Sequence, residues 1–121
     1  MPKILIVDDD LTITELMKAL MIMEGYEPSV VNDSTKALEA AASFQPDLIT
    51  MDLMMPGISG FDLCEQLRQD SRFTNVPILI VTAKDDPGTK ERAMRTGAND
   101  YITKPFNIDQ LLQKLKTLIQ P

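Results

Sequence analysis

Five side chains could act together on one substrate if the fold gathers them: Asp8, Asp9, Asp52, Thr82 and Lys104. Each stands at the end of an apolar or β-branched run. Asp8-Asp9 follows Ile4-Leu5-Ile6-Val7, Asp52 follows Leu48-Ile49-Thr50-Met51, Thr82 closes Ile78-Leu79-Ile80-Val81, and Lys104 follows Tyr101-Ile102-Thr103. Ligands of an open parallel sheet bind beyond the carboxyl ends of its strands. If these strands lie side by side, the five groups converge. Three carboxylates in one place repel one another and require a cation. Ligation by oxygen alone, with no nitrogen or sulfur, suits a hard ion: Mg²⁺, with Mn²⁺ as a substitute. Asp52, with a reference pKa of ~3.9, is ionised at neutral pH and can attack an electrophile. The metal and the Lys104 ammonium would neutralise oxygens on an incoming phosphoryl group, and the Thr82 hydroxyl would donate to another. Phosphoryl transfer needs positioning and positive charge above all. The constellation suits formation of an aspartyl phosphate.

The elements that must position these groups alternate along the chain. Lys3 to Val7 reads as a buried central strand. Ile13, Leu16, Met17 and Leu20 then recur at helical spacing, Met23 extends the run, and Gly25 closes the helix. Tyr26 to Val31 reads as a short strand, placed at an edge by Pro28. Asn32-Asp33-Ser34 offers caps for a second helix carrying Ala37, Leu38, Ala41 and Phe44. The strand holding Asp52 follows Pro46. Ser59-Gly60-Phe61-Asp62 has the spacing of a capping box, opening a helix with Leu63, Cys64 and Leu67. After the fourth strand, Pro87 starts and Gly97 ends a helix whose apolar face is little more than Ala93 and Met94. A fifth strand, Asp100 to Thr103, precedes a helix capped by Asn107, with Leu111, Leu112, Leu115, Leu118 and Ile119 on one face. Such alternation calls for a parallel sheet with right-handed crossovers and helices on both faces.

At 121 residues the chain reads as one domain, 1–121, able to bury a core without disulfides or a structural metal. It has one cysteine and no histidine, which excludes internal disulfides, His-containing zinc sites and His-based catalysis within the chain. A net charge of −6 argues against a direct nucleic-acid surface. The apolar run Ile4–Val7 is too short for a membrane helix or signal core, so a cytoplasmic protein without membrane contact is expected.

Four segments in order carry a resemblance over essentially the whole chain: Ile4-Leu5-Ile6-Val7-Asp8-Asp9-Asp10; Asp52-Leu53-Met54-Met55-Pro56-Gly57 with Gly60; Val81-Thr82-Ala83-Lys84; and Gly97-Ala98-Asn99-Asp100-Tyr101-Ile102-Thr103-Lys104-Pro105-Phe106. The chain resembles the receiver (response-regulator, CheY-like) domain of two-component signalling. The resemblance implies a flavodoxin-like, doubly wound α/β fold with strand order 2-1-3-4-5 and five helices. It makes Asp52 the acceptor of a phosphoryl group from the phosphohistidine of a sensor histidine kinase or a histidine phosphotransfer protein. The absence of histidine agrees, since the donor belongs to another chain. Asp8, Asp9, Asp52 and the backbone carbonyl of Met54 would hold Mg²⁺. Thr82 would reorient toward the phosphoryl group, Tyr101 would turn inward, and Lys104 would pair with a phosphoryl oxygen, with Lys104-Pro105 cis. The small Ala83 would leave access to the phosphoryl group, and Met54 and Lys84 would tune its lifetime.

By the same resemblance the chain is a signalling switch and not a turnover enzyme. Phosphorylation would bias the face made by helix 4, strand 5 and helix 5 toward a downstream output domain or protein, or toward a homodimer. Neutral Asn99 and Gln110, where dimerising relatives carry acids, argue against that dimer mode. With no output domain in the sequence, the chain would be a stand-alone receiver or part of a longer regulator.

Blander roles fit some residues better. Asp10 is expected to cap the first helix, Cys64 to be a small buried hydrophobe, and Lys90, Arg92 and Arg95 to form a solvated face. A half-buried strand residue is the plain alternative for Tyr101. Rival functions lack their residues. A haloacid-dehalogenase-type phosphatase needs a second Asp where Met54 stands. A P-loop hydrolase needs a glycine-rich loop ending in Lys-Ser or Lys-Thr. A flavin carrier needs a phosphate-cradling loop where three acids follow the first strand. An inert docking module without phosphorylation is the remaining alternative, and it normally lacks a site residue that is present here.

Overall fold

A computed structural model describes residues 1–119. The strands are β1 (Lys3–Val7), β2 (Glu27–Val31), β3 (Leu48–Met51), β4 (Ile78–Thr82) and β5 (Asp100–Thr103). The helices are α1 (Leu11–Met23), α2 (Ala37–Phe44), α3 (Gly60–Gln69), α4 (Pro87–Arg95) and α5 (Ile108–Ile119), with a 3₁₀ turn at Ser34–Lys36 before α2. The sheet is parallel with order β2-β1-β3-β4-β5. Pro28 lies in the edge strand β2, where its missing N–H breaks no second ladder.

Period-two alternation divides the core into two layers. Leu5, Val7, Ile49, Met51, Ile78 and Ile80 point toward α2, α3 and α4, where they meet Ala41, Leu63, Leu67 and Ala93. Ile4, Ile6, Leu48, Leu79, Val81 and Ile102 point the other way, onto Met17 and Met21 of α1 and Leu111 and Leu115 of α5. Strands covered on both faces must be apolar throughout, which is why they appear as continuous runs.

Two helix expectations are corrected. On α1 the buried positions are Thr14, Met17 and Met21, while Leu16 and Met23 face solvent and Ile13 and Leu20 only flank the core. The burial stripe runs one position away from the one drawn through Leu16, because the apolar residues of this helix wrap more than one face. Of Asn32, Asp33 and Ser34, only Asp33 caps, and it caps the 3₁₀ turn through the Thr35 N–H at 3.0 Å. Elsewhere the punctuation is as expected. Asp10 caps α1, Ser59 accepts from the Asp62 N–H at 3.2 Å, and Asn107 accepts from the Gln110 N–H at 3.1 Å. Gly25 and Gly97, both at positive φ, follow the ends of α1 and α4. Cys64 is fully buried.

Far from the strand ends that carry the acids, the Arg68 guanidinium donates to the carbonyls of Gly97, Phe73 and Val76 at 2.9, 2.7 and 2.8 Å and to Asn99 Oδ1 at 2.7 Å. Asn99 Oδ1 also accepts from the Ile78 N–H. The neutral side chain at position 99 is thus tied into its own domain. Among the described residues, no helix is long and apolar enough to cross a membrane.

The Thr50 hydroxyl lies inside β3 with no hydrogen-bond partner among the described residues. A buried, unpartnered hydroxyl costs roughly 1–3 kcal/mol relative to an apolar group of the same shape. Thr50→Val is therefore expected to raise stability by about 1 kcal/mol, read as a higher urea midpoint at unchanged slope. A midpoint at or below the parent's would show that the hydroxyl is satisfied in solution.

Candidate functional site

The register of the ladders delivers the acids to one edge. Val7 pairs with Met51 and Met51 with Ile80, so the residues after β1 and β3 leave the sheet together. The Asp52 N–H donates to the Val7 carbonyl at 3.1 Å and the Lys104 N–H to the Thr82 carbonyl at 2.8 Å, extending the ladder one residue past the strands. Asp8 and Asp52 are 2% and 8% exposed, while Asp9 faces solvent. Oxygens of Asp8, Asp9 and Asp52 all lie within 4.8 Å of one another. The Lys104 ammonium bridges the two buried acids, at 2.6 Å from Asp8 Oδ2 and 2.9 Å from Asp52 Oδ2. The remaining oxygens take backbone donors: Asp8 Oδ1 accepts from the Asp10 N–H at 3.0 Å and Asp52 Oδ1 from the Met54 N–H at 3.2 Å.

Burial and charge act against each other here. Burial, helped by the nearby Asp52 charge, pushes the Asp8 carboxyl above the ordinary aspartate range even though Lys104 and the Asp10 N–H pull it down. For Lys104, burial favours the neutral amine, but the bonds to Asp8 and Asp52 outweigh it and the ammonium titrates above its usual value. One ammonium thus bonds two carboxylates of a cluster of three. The donor set is all oxygen, crowded and under-neutralised, and fits a hard divalent cation such as Mg²⁺.

Thr82 is fully buried at the end of β4, and its Oγ1 has no partner among the described residues. Ala83 and Lys84 are exposed beyond it. Tyr101 is buried with its ring inward, and its hydroxyl donates to the Lys84 carbonyl. Burial and the charges of Asp86, Asp52 and Asp85 raise its pKa, so the phenol is a neutral donor. Met54 is 57% exposed beside Asp52, and Lys104-Pro105 is cis. On α4, the Arg92 guanidinium lies 3.9 Å from the centre of the Phe61 ring. Arg92 is exposed, as expected of a solvated face, and also gains a cation–π contact with this ring.

Some residues that shape the site were not singled out as doing so. Gly60, at the start of α3, packs against the backbone of Asp52 and Leu53, and its N–H donates to the Leu53 carbonyl at 2.9 Å. Asn32 donates to the Asp8 carbonyl at 2.8 Å and to Thr14 Oγ1 at 3.2 Å. Glycine at the mouth of a capping box was a visible signal. Asn32 carried none, because its residue type also fits a helix cap.

Known proteins agree with this geometry. Residues 4–116 match the profile of the response regulator receiver domain family. The chain is 39% identical over 120 residues to the DNA-binding dual master transcriptional regulator RpaA of Synechocystis, covering 99% of this chain and 50% of RpaA. It thus spans about half the length of the curated relatives it matches. Among solved structures, it superposes on the Vibrio cholerae chemotaxis protein CheY4 with a TM-score of 0.92 at 32% identity, over 98% of each chain. The receiver domain of the Pseudomonas aeruginosa sensor histidine kinase PA1611, with magnesium coordinated in its active-site cleft, gives a TM-score of 0.89 at 30% identity, over 98% of this chain and 97% of that one.

Proposed function

Since the chain belongs to the response regulator receiver domain family of two-component signalling, we propose that Asp52 is the residue through which it accepts a phosphoryl group. The observation that carries this reading is the bridge of Lys104 between Asp8 and Asp52 at a sheet edge that also holds Asp9 and Thr82. Asp52 Oδ would attack the phosphorus of a partner's phosphohistidine. The O–P bond forms as the P–N bond breaks, and the electron pair returns to the imidazole nitrogen. Asp8, Asp9, Asp52 and the Met54 carbonyl would hold Mg²⁺, which when bound supplies charge neutralisation to the phosphoryl oxygens.

The residues of the chain divide the remaining work. Lys104, kept charged by its carboxylate partners, is positioned to pass from Asp52 to a phosphoryl oxygen. The unpartnered Thr82 hydroxyl is free to donate to another. Ala83 adds no bulk over the acceptor. Tyr101 already points inward, and its bond to Lys84 joins β5 to the loop that follows Thr82. Rearrangement of Thr82 and Tyr101 would change the α4–β5–α5 face. That face meets an output domain or protein, and the chain acts as a switch charged by a histidine kinase or phosphotransfer protein.

Incubation with Mg²⁺ and acetyl phosphate, followed by intact mass measurement, is expected to show one phosphoryl adduct that hydroxylamine removes. Absence of an adduct with this donor and with a phosphorylated histidine kinase would leave a docking module without phosphorylation.

The ammonium that organises the acids also competes with a metal for them. Lys104→Met removes a positive charge from two of the proposed ligands, so Mg²⁺ is expected to bind about tenfold more tightly, by isothermal titration calorimetry. Phosphorylated Lys104→Met should lose the chemical-shift changes in α4 that the parent shows. Unchanged Mg²⁺ binding would mean that the ammonium does not compete with the metal, and weaker binding that it assists it.

A further inference from the structure

The segment after β2 contributes no residue to the acidic cluster, yet it touches both acidic loops. Ser34 is 2% exposed, and its hydroxyl donates to the Pro56 carbonyl at 2.8 Å while accepting from the Ile58 N–H at 2.9 Å. One hydroxyl thus satisfies two backbone groups of the loop between β3 and α3, which begins at Asp52 and contains Met54. Gly57, between those groups, has φ +88°, and a Cβ there would come within 2.9 Å of Thr35 Cγ2 and 3.2 Å of Ser34 Oγ. The loop therefore rests directly on the 3₁₀ turn. Two residues earlier, Asn32 holds the other loop by donating to the Asp8 carbonyl. The Asp8 N–H is itself bonded to the Val31 carbonyl at 3.1 Å.

We propose that Asn32 and Ser34 form a positioning pair that sets the separation between the Asp8–Asp9 loop and the Asp52–Met54 loop, and so sets the affinity of the site for a divalent cation. The inference rests on the reading of these loops as the metal and phosphoryl site. Its physical basis is rigidity. Mg²⁺ tolerates little departure from octahedral geometry, and ligands on two separate loops bind it tightly only if the loops are held before it arrives. Asn32 reaches the Asp8 backbone without touching its carboxylate, and Ser34 reaches the acceptor loop beyond Met54. Both act through other residues and take no part in the chemistry.

Ser34→Ala, Asn32→Ala and, as a control on the same segment, the exposed and charge-conserving Lys36→Arg test this. Metal-free protein is first examined by amide hydrogen exchange, where Ser34→Ala should lose protection at Ile58. Titration with Mg²⁺ should then give a dissociation constant raised about fivefold or more in Ser34→Ala and in Asn32→Ala and unchanged in Lys36→Arg. The rate of adduct formation from acetyl phosphate should fall at low Mg²⁺ and recover at saturating Mg²⁺. That recovery separates a positioning role from general damage, which would lower the rate at every Mg²⁺ concentration. Parental Mg²⁺ affinity in both variants, whatever their stability, would overturn the proposal and leave the two residues as purely structural. A parent protein that takes neither Mg²⁺ nor a phosphoryl group would overturn the functional reading itself.

Discussion

Asp52→Asn is expected to remain folded and to give no labile phosphoryl adduct under conditions in which the parent is modified. An amide oxygen carries no negative charge and is too weak a nucleophile to displace an imidazole or acetate from phosphorus. The fold should tolerate the change, because the amide is nearly isosteric and can still accept the Met54 N–H. Lys104 keeps its partner Asp8, and the repulsion between the Asp8 and Asp52 charges disappears. Relief of that repulsion offsets the lost Lys104 bond, so stability should stay within about 3 kcal/mol of the parent's. Mg²⁺ affinity should fall, since a charged ligand is lost. Intact mass after treatment with acetyl phosphate and Mg²⁺ reads the adduct directly. An adduct in Asp52→Asn at the parent's yield would transfer the acceptor role to Asp8 or Asp9 and sink the assignment.

Gly60→Ala is expected to cost stability on the order of 3 kcal/mol or more, the range of severe overpacking. A methyl at this position would overlap the Asp52 carbonyl oxygen and stand 2.7 Å from Leu53 Cα. Those atoms are backbone and cannot rotate away as a flexible side chain would. Relief requires α3 to withdraw from the β3 end, breaking the bond from the Gly60 N–H to the Leu53 carbonyl. The strand end that would move is the one that presents Asp52. Gly60→Ala should thus lower the urea midpoint and weaken Mg²⁺ binding in the fraction that stays folded. Parental stability would mean that the helix can slide past the strand end without penalty, contrary to the close packing seen here.

The parts of this protein that were legible beforehand are those where one physical requirement dictates residue type. Strands covered on both faces must be apolar, so Ile4–Val7 and Ile78–Val81 declared themselves, and the polar residue that ends each run marked the reactive edge. Phosphoryl chemistry needs carboxylates and an ammonium, so Asp8, Asp52 and Lys104 stood out. Where one residue type serves two purposes, reading failed. Asn, Asp and Ser all cap helices, and nothing in the string Asn32-Asp33-Ser34 showed that only the middle one does so. The face of α1 was misdrawn because Leu16, Met17, Leu20, Met21 and Met23 offer overlapping stripes, and which one is buried depends on the sheet beneath. The carbonyl partners of Arg68 and the ring beneath Arg92 left no trace in the string, since only the tertiary fold brings them near.

The layer shared by α1 and α5 has a consequence for synthesis. Ile4 and Ile6, in the first strand of this sheet, share a core layer with Leu111 and Leu115 of α5, which lies about a hundred residues further along the chain. A nascent chain on the ribosome can assemble β1, β2 and β3 with α1 and α2, but the surface awaiting α5 stays uncovered until α5 itself has been made. During that interval the growing polypeptide presents a sticky aliphatic strip, the kind of surface that chaperones shield and neighbouring nascent chains can capture.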